Sequence, residues 1–353
     1  MAVRIMIMAG GTGGHVFPAL AVAYRLRDAG HMVTWLGTKK GIEARLVPEA
    51  GFPIDWLNVS GLRGKSLFSL LVSPYMLLKA CWQASSIIRQ RKPDVVLGLG
   101  GFASGPGGLM SWVHGKPLVI HEQNRVPGTT NNLLRRIATR VLEAFPNSFE
   151  QAADAISTGN PLRKELIDVM AEKKNTAKRV LIIGGSLGAS ILNEIVPVAL
   201  KEVQADYDLE IIHQAGKATI ERAEVAYQKA HVRADIYPFI EDMKGVYRWA
   251  DIVICRAGAM TISELAMMGL PSILVPLPQA IDDHQTKNAT YLVDQGAAVL
   301  MRQSELTPQA LSESLKSLLS QPDKLAEMGL KARSLAKPEA AQLVADICLE
   351  VAL

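Results

Sequence analysis

Short stretches built almost wholly from apolar side chains recur along the chain: VRIMIM at 3–8, DVVLGL at 94–99, RVLIIG at 179–184 and DIVIC at 251–255. A strand with one wet face alternates apolar and polar residues, so a run without alternation is buried on both faces. Both faces are covered when helices pack above and below a parallel sheet. The pattern predicts strands at 3–8, 32–37, 54–59, 94–99, 117–121 and 140–145. It predicts further strands at 179–184, 209–213, 234–238, 251–255, 271–275 and 297–301, with helical patterns between most of them. The fold class is α/β, doubly wound.

The beginning and the middle of the chain resemble each other. VRIMIMAGGTGGHVFPALAVAYRL (3–26) and RVLIIGGSLGASILNEIVPVAL (179–200) each read as strand, glycine turn and amphipathic helix. Over 353 residues this repeat implies two similar domains. The boundaries expected are 1–160 and 161–337, joined at STGNPLRKEL (157–166), where Gly159 and Pro161 punctuate the pattern. A last helical pattern over 338–353 is a candidate to pack back onto the first domain.

Composition narrows the function classes. Hydrophobic residues make up 49% and charged residues 20%, which fits a large core and argues against disorder. A net charge of +4 is too weak to imply nucleic acid, though a local basic patch could face anionic lipid. Cys81, Cys255 and Cys348 form no CxxC pair, which fits a reducing cytoplasm. The opening MAVRIMIMAGG reaches glycine too soon for a signal peptide. The longest apolar stretch, LFSLLVSPYMLLKACW (67–82), is interrupted by Pro74 and Lys79, so no spanning helix is expected.

In a doubly wound sheet, ligands bind beyond the carboxyl ends of the strands. Helix N-termini there offer N–H groups and a partial positive charge that suit phosphate. Four glycine-containing stretches fall at such ends: 10–15, 100–108, 184–189 and 256–264. None is a dinucleotide fingerprint, because a GxGxxG begun at Gly11 meets Val16 where the third glycine belongs, and no GxxxxGK[ST] is present. One glycine turn alone reads as a tight strand-to-helix connection. Two at equivalent points of similar domains, with two more beside them, point to an anionic ligand between the domains.

In CRAGAMTISELAMMGLP (255–271) a helix is expected to start near Ala259, its first-turn N–H groups suited to a diphosphate. Glu264 can accept from a vicinal diol such as a ribose, or it can offset the helix dipole or complete a capping pattern with Thr261. PLPQAIDDHQTKNA (276–289) is either a solvated loop or a reader of sugar hydroxyls. His121, Glu122, Gln123 and Asn124 cluster at one strand end. His15, after the last glycine of the opening turn, is either a capping or packing residue or a neutral imidazole able to accept a proton. The aspartates of DYD (206–208) precede a strand, away from the ligand end, and no HExxH or Cys/His cluster occurs, so no metal is expected.

Taken together, GGTGGHVFPALA, VSGLRGK, GLGGFASGPGG, HEQNRVPGTTNN, FPNS, TGNPLR, GGSLGA, FIEDM, ADIVICRAGAMTISE and DDHQTKNA, in this order over 10–289, closely resemble the MurG family of bacterial peptidoglycan glycosyltransferases, in glycosyltransferase family 28. The resemblance implies a GT-B fold: two Rossmann-like parallel-sheet domains facing a central cleft. It implies inverting, metal-independent transfer of N-acetylglucosamine from UDP-N-acetylglucosamine to the 4-hydroxyl of the N-acetylmuramoyl group of lipid I, giving lipid II, with no cofactor. In the donor site it places Ile240 on the uracil and Glu264 on the ribose. Ser186 and the turn Ala259, Met260, Thr261, Ile262 and Ser263 would meet the diphosphate, and Gln285 the sugar. Thr12, Gly13, Gly14, Asn124 and Arg163 would complete the pocket.

On the acceptor side the resemblance places Gly13, Gly14, His15, Gly100, Gly101, Phe102 and Asn131, with Phe102 where some members carry tyrosine. His15 is the first choice for the base, with Glu122 orienting it or serving as base itself. The lipid acceptor implies a peripheral place on the anionic cytoplasmic face of the inner membrane, through the segment 62–82 with Arg63, Lys65 and Lys79. Cell-wall synthesis proteins would be partners, and cell shape and division would depend on the product. The competing readings are a UDP-N-acetylglucosamine 2-epimerase or a GT-B transferase with a soluble acceptor, an NAD(P)-dependent dehydrogenase, and a non-catalytic nucleotide-sugar sensor.

Overall fold

The computed structural model describes residues 1–58, 67–149, 154–167, 178–185 and 188–353, without the side chains of 67–73 and 281. The chain divides into two compact units, residues 1–163 with 337–353, and residues 164–336.

Unit 1 runs β1 (Arg4–Met8), α1 (Gly13–Asp28), β2 (Met32–Gly37), α2 (Glu43–Glu49), β3 (Ile54–Trp56), α3 (Leu67–Arg91) and β4 (Val95–Gly98). It continues with α4 (Ser104–Val113), β5 (Leu118–Glu122), α5 (Thr129–Leu134), β6 (Arg140–Glu143) and β7 (Ile156–Ser157). The strands are parallel, in the order β3-β2-β1-β4-β5-β6-β7. The unalternating run of β1 has the cause expected of it. Ile5 and Ile7 enter a core with Val16, Leu20 and Leu26 of α1, while Met6 and Met8 enter a second core with Ala84 and Ile88 of α3. Each such fully buried aliphatic side chain contributes about 1.5–3 kcal/mol. Trp35 of β2 is fully buried and gives its indole N–H to the Ala9 carbonyl at 2.8 Å. β7 ends where the stretch expected to be a join begins. It pairs through Leu142↔Ile156 and Glu143↔Ser157 alone, too short to leave an apolar pattern.

Unit 2 runs β8 (Lys178–Ile183), α6 (Ser190–Val203), β9 (Leu209–Gln214), α7 (Ile220–Ala230), β10 (Asp235–Tyr237), α8 (Met243–Trp249) and β11 (Ile252–Cys255). It continues with α9 (Ala259–Met268), β12 (Ser272–Leu274), α10 (His284–Val293), β13 (Ala298–Leu300), α11 (Pro308–Leu319) and α12 (Pro322–Ser334). Its parallel order is β10-β9-β8-β11-β12-β13. Val180 and Ile182 pack with Leu192 and Val196 of α6 and Leu311 and Leu315 of α11, and the alternate residues Leu181 and Ile183 are buried too. The chain then returns to unit 1 as α13 (Ala340–Ala352), whose Val344, Ala345, Ile347 and Cys348 share the core of α1 and β1. Among the described residues, no helix is long and apolar enough to cross a membrane.

Both sheets reverse direction at an equivalent point, between β1 and β4 in unit 1 and between β8 and β11 in unit 2. Such a switch point leaves a crevice at the carboxyl ends of the strands. Register brings the turns together there. Met8 lies opposite Gly98, and Ile183 opposite Cys255, so turn 10–14 starts beside 99–101, and 184–185 beside Arg256.

Candidate functional site

In unit 1, three loops meet at the switch point. α1 starts immediately after the glycine turn, with Thr12 as an exposed N-cap whose carbonyl accepts from the His15 and Val16 N–H groups at 3.2 Å each. His15 is half-buried on the first turn. Its Nδ1 lies 3.3 Å from the Gly10 carbonyl. A carbonyl only accepts, so Nδ1 carries the proton and Nε2 keeps its lone pair. Gly100 packs on that imidazole. A Cβ there would sit 3.0 Å from Nε2, and φ of +99° also excludes most side chains. Gly101 (φ +84°) lies closer still on the Gly10 backbone. Phe102 follows, half exposed at 50%.

Burial pushes the His15 imidazole below its ordinary value, while the charges of Glu122 and Glu43 and the Gly10 carbonyl pull it back up. The ring is therefore neutral at pH 7, as a proton acceptor must be.

Glu122, at the end of β5, is 2% exposed. Its carboxylate accepts from the N–H of Asn124 (2.9 Å) and of Gly128 (3.0 Å), and from the Nδ2 of Asn124 (3.2 Å) and of Asn131 (2.9 Å). Four donors fill the four lone-pair positions of a carboxylate. Among the described residues no hydrogen bond joins it to His15. Glu122 braces the segment 123–131 and acts on the imidazole through its charge. Asn131, expected on the acceptor, is 2% exposed and gives Nδ2 also to the His121 carbonyl at 3.0 Å, so it braces Glu122. His121 itself is buried, its Nε2 3.0 Å from the Gly159 carbonyl and its Nδ1 accepting from Gln123 Nε2 at 3.0 Å. Arg163 is half-buried with its guanidinium 5.2 Å over the Phe17 ring.

In unit 2 the corresponding feature is the N-terminus of α9. Its N-cap is Gly258, extended, with no side-chain cap. The N–H of Ile262 donates to the Gly258 carbonyl at 2.9 Å, so Ile262 is not a diphosphate donor. The N–H groups of Met260 and Thr261 lie in the first turn, where the helix ladder supplies no acceptor. Ser263 Oγ donates to the Ala259 carbonyl at 3.0 Å. Thr261 is not the N-cap, which rules out a capping box between Thr261 and Glu264. Glu264 lies in the second turn and accepts from the Tyr247 hydroxyl at 2.9 Å.

The Ile240 N–H donates to Gln214 Oε1 at 3.1 Å, which leaves its carbonyl as the group to offer a base. Gln285 Oε1 accepts from the Leu277 N–H at 3.0 Å, leaving its NH₂ as the group to offer a sugar. Ser186, Arg63, Lys65 and the motif VSGLRGK lie outside the described residues.

One residue in this region gave no signal of its own. Arg256 follows β11 and donates to the carbonyls of Val275 and Pro276 (3.1 Å each) and to Gln303 Oε1 (2.8 Å), tying the turn before α9 to the ends of β12 and β13.

Comparison with known proteins agrees with this anatomy. Residues 5–143 match the glycosyltransferase family 28 N-terminal domain, and residues 179–344 match the glycosyltransferase family 28 C-terminal domain. A UDP-N-acetylglucosamine–N-acetylmuramyl-(pentapeptide) pyrophosphoryl-undecaprenol N-acetylglucosamine transferase from Methylococcus capsulatus is 57% identical, the match covering 100% of this chain and 99% of that protein. The protein of the same name from Stutzerimonas stutzeri is 53% identical over the same shares. The crystal structure of Acinetobacter baumannii MurG is 42% identical, with a TM-score of 0.84 and 99% of each chain covered. With both halves of its length matched and relatives this similar end to end, the chain belongs to the MurG family within glycosyltransferase family 28.

Proposed function

We infer that this chain transfers N-acetylglucosamine from UDP-N-acetylglucosamine to the N-acetylmuramoyl group of the pyrophosphoryl-undecaprenol acceptor, lipid I, in peptidoglycan synthesis. The observation that carries the chemical reading is the His15 imidazole, tautomer set by Gly10 and ring packed on Gly100. In the reaction, His15 Nε2 takes the proton of the acceptor's 4-hydroxyl as its oxygen attacks the anomeric carbon. The C–O bond to UDP breaks on the opposite face, so the configuration inverts. The first-turn N–H groups of α9 stabilise the negative charge that gathers on the departing diphosphate. Glu264 accepts from the ribose hydroxyls, the Ile240 carbonyl meets the uracil, and the Gln285 amide meets the sugar. The resemblance assigns Thr12, Gly13, Gly14, Asn124 and Arg163 to the donor as well, and the backbone at 13–14 and 100–101, with Phe102, to the acceptor.

The acceptor's polyprenyl tail fits a second feature of unit 1. On α3, Tyr75, Leu78 and Trp82 are about 70% exposed, with Leu77 and Lys79 beside them; on α4, Trp112 and Val113 are more than half exposed. These two helices pack together, and Ser85 Oγ lies 2.8 Å from His114 Nε2 at their junction. An aromatic and aliphatic patch of this kind suits the surface of a membrane, which is where lipid I resides. Cell-wall synthesis proteins are the expected neighbours, and cell shape and division the processes served.

Incubation with radiolabelled UDP-N-acetylglucosamine and lipid I, followed by extraction of the lipid, tests the activity. The label should enter the lipid fraction, and its complete absence there overturns the reading. Co-sedimentation with anionic vesicles at low salt tests the patch: Trp82→Ala should weaken binding by about tenfold, given the apolar area removed, and unchanged binding counts against a membrane face here.

A further inference from the structure

We propose that Glu43 is a positioning residue for the base, its buried carboxylate fixing the glycine turn from which His15 is presented. This rests on the reading of His15 as base. Glu43 opens α2, away from the strand-end motifs, and is 0% exposed. Its Oε2 accepts from the Gly11 N–H at 2.9 Å, and its Oε1 accepts from the Thr38 N–H at 3.0 Å and the Thr38 hydroxyl at 2.7 Å. Among the described residues it has no cationic partner. A buried carboxylate is unfavourable unless its hydrogen bonds are made. Here three donors make them, and one belongs to the turn itself.

The surroundings are shaped around this side chain. Gly10 and Gly41 each lie so close that a Cβ would run into the carboxylate, and a Cβ at Gly37 would lie 2.9 Å from Glu43 Cγ. Gly10 after β1, Gly37 at the end of β2 and Gly41 before α2 thus leave space for one glutamate. Gly10 is also the residue whose carbonyl accepts the hydrogen bond from the His15 Nδ1–H. The chain of contacts therefore runs from Thr38 through the Glu43 carboxylate to Gly11, next in sequence to Gly10, and from Gly10 to the imidazole. Glu43 and Glu122 are the carboxylates whose charges act on that ring.

Glutamine cannot replace this group. With its Oε1 toward Thr38, its NH₂ meets the Gly11 N–H, donor against donor, and the turn is released. Glu43→Gln should lower kcat at least about tenfold, in line with the sensitivity of rate to small misplacements. The acidic limb of the kcat–pH profile should move to lower pH, because removing a negative charge makes the His15 imidazolium easier to deprotonate. UDP affinity should stay unchanged. The limb reads the loss of charge, whereas a lowered plateau kcat with UDP affinity retained reads the position of the turn, since a general loss of structure would weaken both. Glu43→Asp keeps the charge but shortens the reach, so kcat should fall with the limb unmoved. Glu49→Gln, an exposed change on the same helix, should leave both as they are.

A wild-type plateau kcat in Glu43→Gln overturns the proposal, wherever the limb lies. If that variant fails to fold, Glu43→Asp decides: a lowered kcat with retained UDP affinity supports the proposal, and wild-type kcat overturns it. His15→Ala separates the two levels. If His15→Ala keeps its kcat, the base reading fails whatever Glu43 does; if only Glu43→Gln keeps it, the present inference alone fails.

Discussion

The two units reverse their sheets at the same place and furnish that place with opposite charge. Unit 1 buries three glutamates, Glu43, Glu122 and Glu143, each held by backbone N–H donors around its switch-point loops or the turn after β6. Among the described residues of unit 2 no acidic side chain is buried, and its switch point offers the N-terminus of α9 without a side-chain cap. Fixed negative charge favours a proton arriving on an imidazole, whereas a helix N-terminus favours negative charge arriving on a leaving group. A transfer that frees a proton from one substrate and builds an anion on the other needs both. The proposed reaction draws the first from unit 1 and the second from unit 2.

The largest expected effect breaks the unit 1 side. His15→Ala should reduce kcat by about 10³-fold, within the usual range for loss of a general base, and leave UDP titration unchanged. Equal loss of UDP binding would mean the two units do not divide the work in this way. Next comes acid. Burial holds His121 of unit 1 down at about 4 and His213 of unit 2 at about 3. Unfolded histidine titrates near 6.5, so stability is fully present above about that pH and is lost as pH falls toward the folded values. At about pH 5 each should remove about 2 kcal/mol, or about 30-fold in the unfolding constant. Urea titrations at pH 7 and pH 5 would show this, with His121→Gln or His213→Gln each removing about half the difference. The smallest effect sharpens the unit 2 side. Glu264→Gln keeps an acceptor for the Tyr247 hydroxyl while removing the charge, so donor KM should rise by about tenfold with kcat little changed.

Much of the fold is legible in residue order, because burial on both faces of a strand leaves an unbroken apolar run such as RIMIM or IVIC. β7 is not legible, since two edge residues make no period. The glycine turns announce close backbone approach, and Gly100 against His15 shows one such approach. What those turns approach is harder to read. Glu43 sits in KKGIEARLVPE and looks like a wet residue opening a short helix; its burial is created by glycines at 10, 37 and 41, which only the folded chain brings together. The cluster HEQN stands out as polar residues at a strand end, yet nothing in its spacing says that Glu122 spends all its acceptor capacity on its own loop. Hydrogen bonding of that kind depends on the path of 123–131, which no local pattern encodes.

The return of α13 to unit 1 has a consequence for birth on the ribosome. The face of α1 and β1 that receives Val344, Ile347 and Cys348 is finished only when the last helix emerges. At ~5–20 residues per second, all of unit 2 is made first, leaving that apolar face open for about 10–35 s. The face of α1 and β1 is therefore among the last parts to reach its final packing, and a nascent chain released just short of 340 would carry a complete second unit and an unfinished first.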